Sequence, residues 1–212
     1  MGCLIFDSDG TLVDSELMNN EVLCLELRES GINEDPAELV LRYRGWKLAA
    51  VLEELQELHC KSLPAGFTST FREHAKIRLE QSLNAIPDVT EALAALDYPK
   101  CVASNAPVEK IHTALTATGL AGFFDSNIFS AYEVGSWKPE PGLFLHAADS
   151  MGFDVTDCIV VEDSDIGVQA AVAAGIPVVL YDPTQRVEQS EEAIVIHSMS
   201  QLPDIVGGLF AS

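Results

Sequence analysis

The run Leu4-Ile5-Phe6-Asp7-Ser8-Asp9-Gly10-Thr11 carries an apolar, strand-like stretch into two carboxylates one residue apart and then into a glycine turn. On a continued strand the two acids would point to opposite faces. Gly10 breaks that alternation, so Asp7 can face a reacting centre while Asp9 approaches it from the loop. A calcium loop is excluded by spacing: it wants Gly at its sixth position and Glu at its twelfth, and counting from Asp7 these are Leu12 and Met18. The same grammar recurs twice. Cys101-Val102-Ala103 ends in Ser104 and Asn105, and Ile159-Val160-Val161 ends in Glu162 and Asp163. Lys138 precedes Pro139 and so belongs in a loop, while Pro141 suits the first turn of the helix that follows. An ionised carboxylate is a ready nucleophile, with an ordinary pKa of about 3.9. Several of them around an anionic substrate would repel it unless a hard cation such as Mg²⁺ neutralised the site.

Three apolar runs with polar tails, separated by helix-like segments, read as neighbouring parallel strands buried on both faces. Ligands of such sheets sit beyond the carboxyl ends of the strands, where the three tails would converge. After Thr11 the pattern turns helical, with Asp14 and Ser15 as capping candidates, a stripe of Met18, Val22 and Leu25, and a stop at Gly31. A second helix starts near Pro36, a third carries Leu48, Leu52, Leu55 and Leu58, and a fourth runs from about 70 to 83. No strand interrupts these four. Beyond Pro87, helices at 88–96, 107–118, 140–151 and 164–174 alternate with strands at 100–103, 127–130, 158–162 and 177–180. The expected architecture is an α/β, doubly wound (Rossmann-like) parallel sheet, residues 1–14 and 84–212, with a small all-helical domain, residues 15–83, inserted after the first strand.

The chain has 212 residues, 48% of them hydrophobic, enough for one substantial core plus a smaller unit. No apolar run is long enough to span a bilayer, Asp7 interrupts any signal-peptide core, and Phe6 breaks a myristoylation motif. A cytoplasmic protein is expected, as a monomer or weak homodimer. The five cysteines form no Cys-x-x-Cys pair and read as reduced, small apolar fillers. A net charge of −21 argues against nucleic acid and anionic membrane as partners. Residues 15–83 hold eight of the twelve basic side chains and twelve of the 33 acids, a net of −4 against −17 for the remainder. The helical segment is therefore suited to attract an anion that the rest would repel.

Asp7 and Asp9, Ser104, Lys138, then Glu162 and Asp163, in this order at these strand ends, resemble the haloacid dehalogenase-like superfamily of phosphohydrolases over essentially the whole chain. The helical insertion looks like the cap domain of its β-phosphoglucomutase-like members. The resemblance implies Asp7 as nucleophile, Asp9 as general acid/base, Ser104 as a phosphate hydrogen-bond donor and Lys138 as charge stabiliser. It further implies Mg²⁺ held by Asp7, the Asp9 carbonyl, Asp163 and Glu162, the last directly or at one remove; Asp165, by its position, is expected to complement the N-terminus of the following helix rather than to bind metal. Gly10, Thr11 and Asn105 would contact substrate. Asp9 would need a raised pKa to donate a proton. Phosphonoacetaldehyde hydrolases, whose cap lysine Lys47 could match, lack the acid at Asp9. Mutases place Ser-Lys where this chain has Ala106-Pro107, and dehalogenases lack the acid pair. The segments Gly135–Pro141 and Arg44–Leu48 are similar to the branch containing 6-phosphogluconate phosphatase. By that likeness Arg42, Arg44 and Lys47 are candidates for reading a sugar acid's carboxylate or a distal anion. The implied activity is Mg²⁺-dependent hydrolysis of a small phosphorylated metabolite through an aspartyl phosphate; a sugar phosphomutase and a non-catalytic phosphometabolite sensor are the alternatives.

Overall fold

Along β1 (Cys3–Phe6) the side chains alternate, and both faces are buried: Leu4 and Phe6 join one apolar cluster while Cys3 and Ile5 join another. That two-sided burial needs helices above and below the sheet. In this computed structural model, which describes residues 2–211, β1 is flanked by β2 (Lys100–Ser104) and β4 (Cys158–Glu162), both parallel to it. With β3 (Ile128–Ser130), β5 (Val178–Tyr181) and β6 (Ile194–Ile196) the order is β3-β2-β1-β4-β5-β6. The first face is covered by α5 (Val89–Ala95), α6 (Val108–Ala117) and α10 (Leu202–Ala211), through residues such as Leu93, Leu115 and Val206. The second is covered by α8 (Gly142–Met151) and α9 (Asp165–Ala174), through Phe144, Ala147 and Ala171. Each large side chain so buried contributes roughly 1.5–3 kcal/mol. A single turn, α7 (Ala131–Val134), follows β3.

Four helices, α1 (Glu16–Glu29), α2 (Pro36–Tyr43), α3 (Leu48–His59) and α4 (Phe67–Ser82), gather round their own cluster of Leu27, Leu39, Leu55, Phe71 and neighbours. The chain leaves and re-enters the sheet side by side: Asp14 N–H donates to the Asn84 carbonyl and Ile86 N–H to the Leu12 carbonyl. Asp35 caps α2 by accepting from the Ala37 and Glu38 amides, with Pro36 in its first turn. The expected stripes need correction at two positions, since Leu25 and Leu58 are more than half exposed. Two C-terminal elements, β6 and α10, were not anticipated. β6 spans three residues, and Gly207 and Gly208 weaken the helical pattern of α10. Cys3, Cys24, Cys101 and Cys158 are buried and reduced, Cys60 exposed and reduced. Among the described residues no helix is long and apolar enough to cross a membrane.

The carboxyl edge beyond β5 is tied down by Asp182. It is fully buried and accepts from the Thr184 hydroxyl and Val187 amide, each at 2.8 Å, and from Arg186 Nε at 3.3 Å. Burial alone would raise its pKa, but these donors outweigh it and bring the carboxyl down to about 2. A value below the unfolded one of about 3.9 adds stability that is complete above that pH and is lost as pH falls through the folded value, on the order of 2 kcal/mol. Thermal melts should therefore place Asp182→Asn below the parent at neutral pH, the gap narrowing towards about pH 2.

Candidate active site

The turn after β1 is set by Gly10, whose φ of +84° is a left-handed conformation that glycine adopts without strain. A Cβ there would lie 2.2 Å from Asp163 Oδ2, so glycine also lets the turn lie directly beneath that carboxylate. Asp7 stands at the end of β1, Ser104 at the end of β2, and Glu162 and Asp163 at the end of β4, all buried. Lys138, from the loop before α8, fills the space between them. Its ammonium donates to Asp7 Oδ1 at 2.5 Å and to Glu162 Oε1 at 2.7 Å. The fold thus brings Asp7, Asp9, Ser104, Lys138, Glu162 and Asp163 onto one cavity of about 520 Å³ between the strand ends and the helical insertion.

Several expected contacts fall elsewhere. Glu162, expected among the metal-holding acids, has both oxygens engaged: one on Lys138, the other accepting the Asp163 and Ser164 amides and the Ser164 hydroxyl at 2.8–2.9 Å. A Cβ at Gly167 would overlap it, so α9 begins packed against this carboxylate. In this geometry it binds Lys138 and the start of α9. Thr11 and Gly10, expected at substrate, do not line the cavity; the Thr11 hydroxyl instead donates to Asp163 Oδ1 at 3.4 Å. Asn105 lines the cavity but spends its amide on the loops, accepting from Lys138 N–H and donating to the Lys138 and Gly45 carbonyls. Ser104 Oγ accepts the Ala106 amide, which leaves its hydroxyl hydrogen free for a ligand. Arg42 pairs with Glu54 on the surface and is not part of the cavity. Asp165 is exposed, in the first turn of α9.

The electrostatics also depart from expectation at Asp9. Burial pushes its carboxyl up, but Lys110 on α6, 2.6 Å from Oδ2, and the Ser15 hydroxyl on Oδ1 more than compensate and hold it below its ordinary value. The expectation of a raised pKa is thereby corrected. Lys110 is the residue that sequence reading missed; it lies in the first turns of the helix following the Ser104 tail, which a doubly wound sheet aims at the strand ends. Ser15, expected only as a cap, makes no capping hydrogen bond to α1 and serves Asp9. Glu16 is a second omission: it pairs with Arg44 at 2.7 Å, and burial pushes its carboxyl up to about 7. Asp7 is likewise pushed up to about 7 by burial, with Glu162 and Asp9 adding to the rise and Lys138 opposing it. Asp163 is raised well above its ordinary range by burial and by Glu16, Glu162 and Asp7.

Five linked carboxylates (Asp7, Asp9, Glu16, Glu162, Asp163) face three cations (Arg44, Lys110, Lys138). Asp163 Oδ2 is buried and accepts no hydrogen bond, with Arg44 Nη1 3.4 Å away as its nearest cation. A buried carboxylate oxygen that accepts no hydrogen bond, in the cavity that Asp7 also lines, suits a hard, oxygen-seeking cation, so these residues fit Mg²⁺.

The family model described as haloacid dehalogenase-like hydrolase matches residues 4–181. The 6-phosphogluconate phosphatase of Escherichia coli is 32% identical over 95% of this chain and 93% of its own length. The fructose-1-phosphate phosphatase of the same organism is 30% identical, covering 83% of this chain and 94% of its own. A crystal structure of a conserved haloacid dehalogenase-like protein from Agrobacterium tumefaciens superimposes with a TM-score of 0.84 at 30% identity, covering all of both chains.

Proposed function

The chain belongs to the haloacid dehalogenase-like hydrolase family and is a phosphoric monoester hydrolase, and from that premise we propose that it is a Mg²⁺-dependent phosphatase of a small phosphorylated sugar or sugar acid, acting through an aspartyl phosphate on Asp7. The observation that carries the reading is the single cavity lined both by Asp7, held by Lys138, and by Asp163, one of whose buried oxygens accepts no hydrogen bond. Asp7, Asp163 and the Asp9 main-chain carbonyl would hold the ion, which supplies charge neutralisation and lets a phosphate dianion approach. When bound, the ion would also favour the ionised form of Asp7 that attack requires.

Asp7 Oδ attacks phosphorus while the bond to the leaving alkoxide breaks. Lys138 and the Ser104 hydroxyl bind the phosphoryl oxygens as charge develops. Asp9 gives a proton to the alkoxide, which requires that it first take one up against the pull of Lys110; ionised again, it takes one from the water that attacks the aspartyl phosphate and releases phosphate. Lys110 favours the ionised state that the second step uses. The relatives whose names specify 6-phosphogluconate and fructose 1-phosphate, with a cavity of about 520 Å³, support a substrate of hexose size. Phosphate release from p-nitrophenyl phosphate and hexose phosphates should cease with EDTA and return with Mg²⁺. Hydrolysis that survives EDTA would overturn the metal-dependent reading, and no hydrolysis at all would favour a sensor.

A further inference from the structure

Six cations line the cavity: Arg44, Lys47, Arg72, Lys76, Lys110 and Lys138. Four face carboxylates, Arg44 on Glu16 and Asp163, Lys76 on Glu109, Lys110 on Asp9 and Lys138 on Asp7 and Glu162. Among the described residues, Lys47 and Arg72 pair with no acid. Each rests instead on an aromatic ring of the sheet domain. Lys47 Nζ lies 3.8 Å over the Trp137 ring. The Arg72 guanidinium lies 5.6 Å from the Tyr132 centroid, and its Nη2 donates to the Tyr132 hydroxyl at 3.1 Å. The two rings meet edge to face at 5.6 Å, so both cations stand on one aromatic platform.

An aromatic face attracts a cation by about 0.5–2 kcal/mol but leaves its charge unneutralised and most of its N–H donors unused. In a chain of 33 acidic and 12 basic residues, two cations turned to the cavity without an acid beside them are an exception to the local pattern. The Trp137 indole N–H at the same seam is buried with no acceptor. Lys47 precedes α3 and Arg72 lies on α4, so the pair belongs to the helical insertion, whereas the transferring phosphate is held by the strand ends.

We propose that Lys47 and Arg72, braced on Trp137 and Tyr132, bind a second anionic group of the substrate, so that the preferred substrates are phosphomonoesters of short polyhydroxylated acids. This rests on the phosphatase reading above and narrows it. A carboxylate between an ammonium and a guanidinium makes charge-assisted hydrogen bonds that a neutral hydroxyl cannot match.

The test compares kcat/KM for 6-phosphogluconate and for glucitol 6-phosphate, which share chain length and phosphoester but differ in a carboxylate against a hydroxymethyl group. The parent should prefer the acid by at least about tenfold. In Lys47→Met/Arg72→Met, which keeps the apolar stems, that ratio should fall to within about threefold of unity, with the loss in KM for the acid rather than in kcat. Lys47→Arg/Arg72→Lys should restore most of it. A parent that turns over both alike, or a doubly substituted protein that keeps the parent's ratio, overturns the second-anion subsite while leaving the phosphatase intact. Absence of turnover of these and of p-nitrophenyl phosphate overturns both.

Discussion

Asp7→Asn should lower kcat by about 10⁴-fold or more without loss of stability, because an amide oxygen does not attack phosphorus. Asn is isosteric and its carbonyl can still accept from Lys138. It also removes a buried charge: burial, with Glu162 and Asp9 adding to it, pushes the Asp7 carboxyl up to about 7. The melting temperature of the metal-free variant should therefore equal or exceed that of the parent. Steady-state turnover of p-nitrophenyl phosphate and a thermal melt check the two halves. Turnover above about one-hundredth of the parent's would contradict the nucleophile assignment.

Lys138→Met should fail in the opposite way, losing stability as well as activity. The Lys138 ammonium is buried and shared between Asp7 and Glu162, and both carboxylates help to keep it charged. Removing it strands two buried carboxylates, at a cost of about 3–5 kcal/mol. For a chain of this size the melting temperature should drop by roughly 10 °C, and Mg²⁺ should recover part of the loss by supplying the missing positive charge. An unchanged melting temperature would show that the Lys138 network contributes nothing to the fold. A kcat within tenfold of the parent's would show that Lys138 does not stabilise the transferring charge.

The strand ends were legible because a buried parallel strand leaves a plain record: a short apolar run, then a polar tail where it emerges. Leu4–Thr11, Cys101–Asn105 and Ile159–Asp163 each follow that rule, and helices between them imply a parallel sheet with helices on both faces. What stayed hidden depends on side chains that meet across the chain. Lys110 sits 101 positions from Asp9, and nothing in the amphipathic pattern of α6 distinguishes it from a solvated lysine, yet it reverses the expected shift of the Asp9 carboxyl. Glu162 could not be told from Asp163 by adjacency. Only the packing of Gly167 against one and the buried oxygen of the other that accepts no hydrogen bond tell them apart. Arg42, Arg44 and Lys47 were equally plausible anion readers by type. Glu54 occupies the first, Glu16 and Asp163 the second, and the third stands on Trp137. β6 and α10 escaped because three apolar residues and a glycine-interrupted helix fall below what periodicity resolves.

The claim on which these expectations converge is that the side chain of residue 7 carries the phosphoryl group between substrate and water. Rapid quenching during turnover with Mg²⁺, followed by borohydride reduction and peptide mass spectrometry, reads it directly, since reduction of an aspartyl phosphate leaves homoserine. Homoserine at position 7, absent without substrate and absent when Mg²⁺ is chelated, is the predicted result. Homoserine at another acidic position, or none at any position while phosphate is being released, would contradict it.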